Sequence, residues 1–276
     1  MEEVGVAIFA YNRPSHLRRV LIALEDLKIK NIEVFLDGPK NFRDQICKKE
    51  ILFMLNTNLK IRSNIHQSQK NKGLAKSIKD GLSVMSKKFH KFIVLEDDCI
   101  PRKEFFKFMY KCLKYFENDK NIAAICGYQI PEIHETNRRI IKAYCLKNFI
   151  SWGWATWSKK WKGYLKIEKT KKQNTNLVKS RIVKKIKDQR ISKKNVWTFD
   201  YIKYNQSQNK YFIFPNKSLI KNIGFDGSGV NSKTTFFFNT KYFPSDSIII
   251  DKNLKIDKRK NEIQENILLK RLNLFY

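Results

Sequence analysis

Phe92-Ile-Val-Leu-Glu-Asp-Asp-Cys99 is the stretch on which the reading of this chain turns. The apolar run Phe92 to Leu95 ends abruptly in three carboxylates, Glu96, Asp97 and Asp98. A run so short and rich in β-branched residues predicts a buried strand rather than a helix. Ionised carboxylates where such a strand emerges face a cation or a ligand, because a core does not tolerate them unpaired. In open α/β sheets ligands bind at the carboxyl ends of strands, and hard oxygen donors suit Mg²⁺ or Mn²⁺. The competing reading is a solvated acidic turn before a helix that starts near Pro101 and Lys103. These residues alone leave the two level.

Upstream, strand and helix patterns alternate. Val4 to Ala10 is an apolar strand, followed by the turn Tyr11-Asn12-Arg13-Pro14. Ser15 is the expected N-cap of a helix in which Leu17, Val20, Leu21, Leu24 and Leu27 recur at helical spacing. Ile32 to Leu36 is a second strand, closed by Asp37-Gly38-Pro39. A helix over 44–55, a strand near 60–65, the turn Asn71-Lys72-Gly73 and a helix with Leu74, Ile78, Leu82 and Met85 lead to the acidic strand. Such alternation predicts βαβ units, hence an α/β fold with a mainly parallel sheet flanked by helices. Three strand ends then share one edge: Asn12 with Arg13, Asp37, and the acids. There Arg13 suits a pyrophosphate and Asp37 a base N–H; the plainer readings are a surface charge and an ordinary turn. No P-loop or G-x-G-x-x-G is present, which disfavours an ordinary kinase or dinucleotide enzyme.

Downstream, Glu104 to Phe116 has an amphipathic helical pattern, and 122–126, 143–146 and 212–214 read as strands. Ser151-Trp-Gly-Trp-Ala-Thr-Trp157, with Trp161 behind it, offers aromatic faces to sugar C–H groups, or forms a hydrophobic corner of the core. Val196 to Asn205 is a short helix with an acid, Asp200, among aromatics. Asn222-Ile-Gly-Phe-Asp-Gly-Ser-Gly229 is a glycine-rich loop, and Glu262 to Leu274 a helix that packs on the body or lies on a membrane. Three parts are expected: a first half over 1–100, a second half over 101–246 on the same sheet, and a tail with a helix over 247–276.

Length and composition narrow the classes. The 276 residues are 42% hydrophobic and 13% aromatic, enough for a large core and against general disorder. No run approaches a membrane span and no signal-peptide layout is seen, so a cytoplasmic protein is expected. The five cysteines include no C-x-x-C pair, which speaks against zinc or a disulfide framework. The basic residues behind the formal charge of +30 are spread along the chain, and a basic insertion, 159–194, holds fifteen Lys and Arg against Glu168 and Asp188. Without a zinc finger, RRM signature or basic zipper region, nucleic acid is not the expected partner. An anionic membrane surface ranks above it, with plain composition close behind.

Ala10-Tyr-Asn-Arg-Pro14, Phe35-Leu-Asp-Gly38, Asn71-Lys-Gly-Leu-Ala75 and Val94-Leu-Glu-Asp-Asp98 together resemble the donor half of the GT-A nucleotide-sugar glycosyltransferases. The layout is similar to bacterial family 2-type enzymes and, more distantly, to the N-acetylglucosaminyltransferase I family. The resemblance covers roughly Val4 to Asn231 and implies that 1–100 is the nucleotide-sugar-binding half and 101–246 the acceptor-binding half. It implies that Asp98 binds Mn²⁺ or Mg²⁺, that Asp97 and Glu96 lie by the ribose and the sugar, and that Asp37 contacts the uracil. Arg13 matches an early family arginine, and Ser77 stands where the family has a histidine. Gly153 and Trp154 match its Gly–Trp loop, Trp197 and Asp200 its later Trp and acid, and Asn222 to Gly229 its donor-ordering loop.

The expected function is therefore inverting transfer of a sugar from a nucleotide-sugar, a UDP-sugar first, to a saccharide or lipid-linked saccharide hydroxyl, with Asp200 as general base. Sugar nucleotidylyl transfer is the alternative within enzymes; it would need a glycine-rich, basic loop after the first strand, and Tyr11-Asn-Arg-Pro14 is not that. A basic nucleic-acid-binding protein is the alternative outside them, supported by charge alone.

Overall fold

The computed structural model describes residues 2–57, 62–135, 139–170, 181–188, 197–228 and 234–271. Strands β1 (Glu2–Ala10), β2 (Ile32–Leu36), β3 (Ser63–Gln67) and β4 (Phe89–Glu96) run parallel in the order β4-β1-β2-β3. Helices α1 (Pro14–Asp26), α2 (Phe42–Thr57) and α3 (Leu74–Lys88) connect them. This is the βαβ half read from the sequence; its inner strands β1, β2 and β4 are mostly buried because helices cover the sheet, and β3 at the edge is only partly so. The first helix differs in its start. Pro14 occupies the first turn with Arg13 at the N-cap position and no side-chain cap, a place where proline costs no hydrogen bond.

The second half extends the same sheet. A short β5 (Cys99–Pro101) leads into α4 (Phe105–Tyr115), β6 (Ile122–Cys126) and β7 (Ile140–Leu146). The tryptophan-rich segment is a strand, β8 (Trp154–Trp157), inserted antiparallel between β4 and β6. Helix α5 (Ser158–Thr170) follows, then α6 (Arg181–Asp188), α7 (Trp197–Ser207) and β9 (Tyr211–Pro215). Strand β9 runs parallel to β6 and antiparallel to β7. Then β10 (Ile220–Asn222) pairs with β5, β11 (Ser247–Ile249) pairs with β7, and α8 (Lys258–Lys270) lies near the end of the chain. The nine-stranded sheet reads β11-β7-β9-β6-β8-β4-β1-β2-β3. It is α/β with a mostly parallel sheet, as expected. Much of the basic insertion, including Leu177, lies outside the described residues. Among the described helices none is long and apolar enough to cross a membrane.

One buried charge ties three elements of the first half. Glu33, on β2, is 1% exposed. It accepts from Lys88 Nζ at 2.6 Å, His66 Nε2 at 2.6 Å and Asn64 Nδ2 at 2.9 Å. Burial alone would raise its pKa, but those three partners hold it below the ordinary 4.5. A carboxylate held low stabilises the fold above its unfolded-state pKa and loses that contribution as pH falls through the folded value. Glu33→Ala should cost about 2 kcal/mol at neutral pH, the partners being partly solvated. Thermal melts should show the gap from the parent closing below pH 4.5.

Candidate active site

The parallel register of β1 and β4, with Phe9 beside Glu96, brings the segment after β1 against the acids that end β4. Arg13 crosses the gap. Its Nη2 donates to Asp97 Oδ1 and, at 2.9 Å, to Asp98 Oδ2. Asp97 is buried, and Asp98 and Arg13 are mostly so. Glu96, part-buried, accepts from Ser151 Oγ at 3.5 Å.

Three carboxylates thus share one guanidinium. Burial lifts Asp97, Arg13 pulls it back and Asp98 pushes it up again, leaving it at about 6. Burial, then Asp98 and Asp97, push Glu96 up to about 8 against the opposing pull of Arg13 and Ser151. The site therefore has an excess of negative charge that a cation would relieve. Among the described residues no group of three His, Cys, Asp or Glu side chains is set to hold a metal by itself. The residues fit a divalent ion that takes one or two carboxylate oxygens and completes its shell with ligand oxygens and water, as Mg²⁺ does.

The turn that carries Arg13 is fixed from outside. Tyr11 and Asn12 side chains both donate to Asp44 in the first turn of α2, the Asn12 bond being 2.8 Å. The other two motifs form a clasp. Asp37 Oδ1 accepts from the backbone N–H of Gly38 at 2.8 Å and of Lys72 at 2.9 Å, and Oδ2 from Gly73 N–H at 3.0 Å and Asn71 Nδ2 at 3.3 Å. Those four bonds match the roughly four acceptor positions of an ionised carboxylate. Asp37 therefore closes its own strand end onto the start of α3. Ser77 lies half-buried in the first turn of α3, its N–H bonded to Gly73 O.

The glycine-rich loop closes the site from above. Strand β10 is paired with β5, and Ile223 N–H donates to Asp98 O at 2.9 Å. Gly224 then lies so near Asp98 that a Cβ there would collide with its carboxylate and crowd Arg13 at 3.1 Å. Further along, Asp226 contacts His16 of α1 at 3.1 Å. Gly229 lies outside the described residues.

The tryptophan motif divides between site and core. Gly153, at φ +65°, turns the chain so that Trp152 and Trp154 take different surroundings. Trp154 is fully buried among Phe149, Trp161, Trp197 and Tyr201, its faces spent on packing. Trp152, only partly buried, meets Phe225 of the glycine-rich loop at 5.1 Å and Tyr128 at 4.6 Å. It is the ring of this motif that borders the site, and sequence reasoning passed over it. The available signal was the glycine after it, which reverses the strand's alternation. Asp200, half-buried in the first turn of α7, sits between Trp197 and Tyr201, whose rings lie 5.7 and 5.8 Å from Trp154.

The sequence matches no family model and no curated protein. Solved structures resemble the chain at low similarity. The mannosyltransferase PcManGT of Pyrobaculum calidifontis, in complex with GDP-Man and Mn²⁺, is 12% identical over 61% of this chain and 46% of its own, with a TM-score of 0.39. A cytidylyltransferase of Leptospira borgpetersenii is 14% identical over 60% of this chain and 65% of its own, at 0.37. The 4-diphosphocytidyl-2C-methyl-D-erythritol synthase of Anaerococcus prevotii is 12% identical over 98% and 99%, at 0.40. The chain thus spans less than two thirds of the first two proteins, and likenesses this slight carry no weight for substrate or residue roles here.

Removing the guanidinium should expose the charge imbalance. Arg13→Gln should destabilise the protein by about 3 kcal/mol at neutral pH, the cost of leaving buried charge uncompensated. A carboxyl whose folded pKa is raised weakens the fold as pH climbs toward that pKa. Loss of Arg13 raises Asp97 beyond its present value of about 6. Melting temperatures of the variant should therefore keep falling above pH 6, more steeply than those of the parent.

Proposed function

We propose that this chain is a metal-dependent inverting glycosyltransferase. It would move a sugar from a nucleotide-sugar, a UDP-sugar first among them, to a saccharide hydroxyl in bacterial surface glycan synthesis. The acceptor would be lipid-linked and met at an anionic membrane face. The observation that carries this reading is the cluster of Arg13, Asp97 and Asp98 under Gly224, at the carboxyl edge of a parallel sheet. Ligands with phosphates favour that edge, and a flexible glycine cover suits a donor that must enter and leave.

In this reading Asp98, with Mn²⁺ or Mg²⁺, and Arg13 hold the donor diphosphate. The metal, when bound, offsets the charge that develops on the leaving group. Arg13 is already oriented by Asp97 and needs no rearrangement to present its donors. Glu96 and Ser151 border the sugar, Asp97 the ribose, and Trp152 the acceptor side. Asp200 takes the proton from the acceptor hydroxyl as its oxygen bonds to the anomeric carbon and the bond to the diphosphate breaks, which inverts that carbon. Asp37 acts on the base through the loop it clamps, Asn71 to Gly73, since its own oxygens are already used.

Two measurements test the proposal. Metal-dependent release of nucleoside diphosphate from a panel of nucleotide-sugars should be abolished by EDTA and by Asp98→Asn; full turnover in EDTA would remove the metal from the reading. Release of pyrophosphate from a nucleoside triphosphate and a sugar phosphate would instead identify nucleotidylyl transfer. Asp200→Asn should leave donor binding nearly intact and slow transfer by about 10²-fold or more. Normal transfer by that variant would give the base role to another residue.

A further inference from the structure

The segment after the glycine-rich loop leaves aromatic rings in water although its backbone is firmly held. Phe236 is 81% exposed, Phe237 59% and Phe243 38%. Between them Phe238 is buried against Trp152 and Phe225, with ring centroids 5.3 and 4.6 Å away, and Tyr128 donates to its carbonyl at 2.7 Å. Arg102 donates to Thr240 O at 3.0 Å and stacks over the Tyr242 ring at 4.5 Å. The Tyr242 hydroxyl and the Ser245 N–H both donate to Glu104 at 3.0 Å. The three exposed rings are thus presented by a braced segment, not shed by a loose one. A soluble surface seldom shows such a group without a use for it.

Cations adjoin these rings. Arg271, one residue beyond α8, lies over Phe237 at 4.8 Å. Lys241 and Lys270 are exposed. The last turns of α8 also wall a cavity of about 400 Å³ that Arg181, Lys184, Lys185 and Lys270 line. Aromatic rings bordered by Lys and Arg are what a membrane surface recognises: rings enter the apolar edge of the headgroup layer while the cations meet lipid phosphate.

We infer that residues 234–243 dock this protein on an anionic phospholipid bilayer. Phe236, Phe237 and Phe243 enter the headgroup layer, and the basic end of α8 with the α6 cavity supplies the attraction. Phe238 links this surface through Trp152 and Phe225 to the rim of the site, so docking brings the site mouth to the lipid. The inference deepens the glycosyltransferase reading and rests on it for its purpose, since a lipid-borne acceptor would lie in that same surface.

The test is co-sedimentation of the full chain with vesicles of phosphatidylcholine alone or mixed with phosphatidylglycerol. Binding to the mixed vesicles should be strong, should weaken as salt rises, and should be slight with phosphatidylcholine alone. The double variant Phe236→Ala/Phe237→Ala should bind the mixed vesicles about tenfold more weakly or worse. Its melting temperature should stay close to the parent's, because Phe236 stands in water and Phe237 is more than half exposed, with Arg271 over its ring. Equal binding by parent and variant would overturn the inference, as would failure of the parent to bind. A parent dimer that the double substitution converts to monomer would also overturn it, making the patch a contact between copies. Nucleoside diphosphate release without vesicles keeps the two readings apart. Intact release with no vesicle binding removes the docking alone; intact vesicle binding with no release on any donor removes the glycosyl transfer alone.

Discussion

The ion cluster of Arg13 with Asp97 and Asp98 is the constraint from which the arrangement of the first half follows. A buried strand that ends in three acids is stable only if a cation arrives at a fixed place, because burial makes each unpaired charge costly. The cation comes from the neighbouring strand, so β1 and β4 must lie side by side, parallel and in one register. Its turn must also stand still, and Asp44 of α2 holds it through Tyr11 and Asn12. The next strand end is closed the same way by Asp37 and the loop before α3. The ends of β1, β2 and β4 at this edge are thus tied sideways by carboxylates. The sheet edge becomes a rigid floor beneath the glycine-rich loop.

The opposite wall is rigid for a different reason. Strand β8 runs against its neighbours, so its beginning reaches the acids while its body lies in the core. The Gly153 carbonyl accepts from Gly127 N–H at 2.7 Å, and a side chain at Gly127 would strike Phe105 and crowd that oxygen at 2.8 Å. Behind this contact Trp154, Trp161, Trp197 and Tyr201 pack edge and face. Rings of that size are worth several kcal/mol of buried apolar surface together. The position of α7, and with it Asp200, is set by this packing more than by any polar bond to the site.

The first half was legible because its signals are periodic: Leu17, Val20, Leu21 and Leu24 mark one helix face, and β1, β2 and β4 carry apolar runs that end in turns. All four of those leucine and valine side chains are buried. Strand β8 was not legible. Trp-Ala-Thr-Trp is buried on both faces, so it lacks the alternation that marks a half-exposed strand, and tryptophan after glycine reads equally well as a sugar platform. The clasp that Asp37 makes was hidden because two of its partners are the backbone N–H groups of Lys72 and Gly73, thirty-five and thirty-six residues away, which no side-chain pattern encodes. Arg13 was recognised as a cation at a strand end, but its partners needed the register. Trp152 was missed because exposure, not identity, separates it from Trp154.

The charge of the chain poses the last question, and the scarcity of acids answers part of it. With 56 basic residues against 26 acids, each carboxylate is surrounded by candidates. Several acids are spent on joining elements: Glu33 holds β3 and α3 to β2, Glu104 braces the segment before β11, and Glu135 takes Lys260 of α8 at 2.8 Å. The cations left over repel one another across the whole surface. Such a field speeds encounter with any anionic partner but does not choose an orientation, since screening blurs it beyond about 8 Å at physiological salt. A local apolar feature is needed to turn general attraction into one pose. In the proposed docking the exposed phenylalanines supply it on the side that leads through Phe238 and Trp152 to the acids. Diffuse charge would then set how fast this protein finds a bilayer, and the three rings which of its faces stays there.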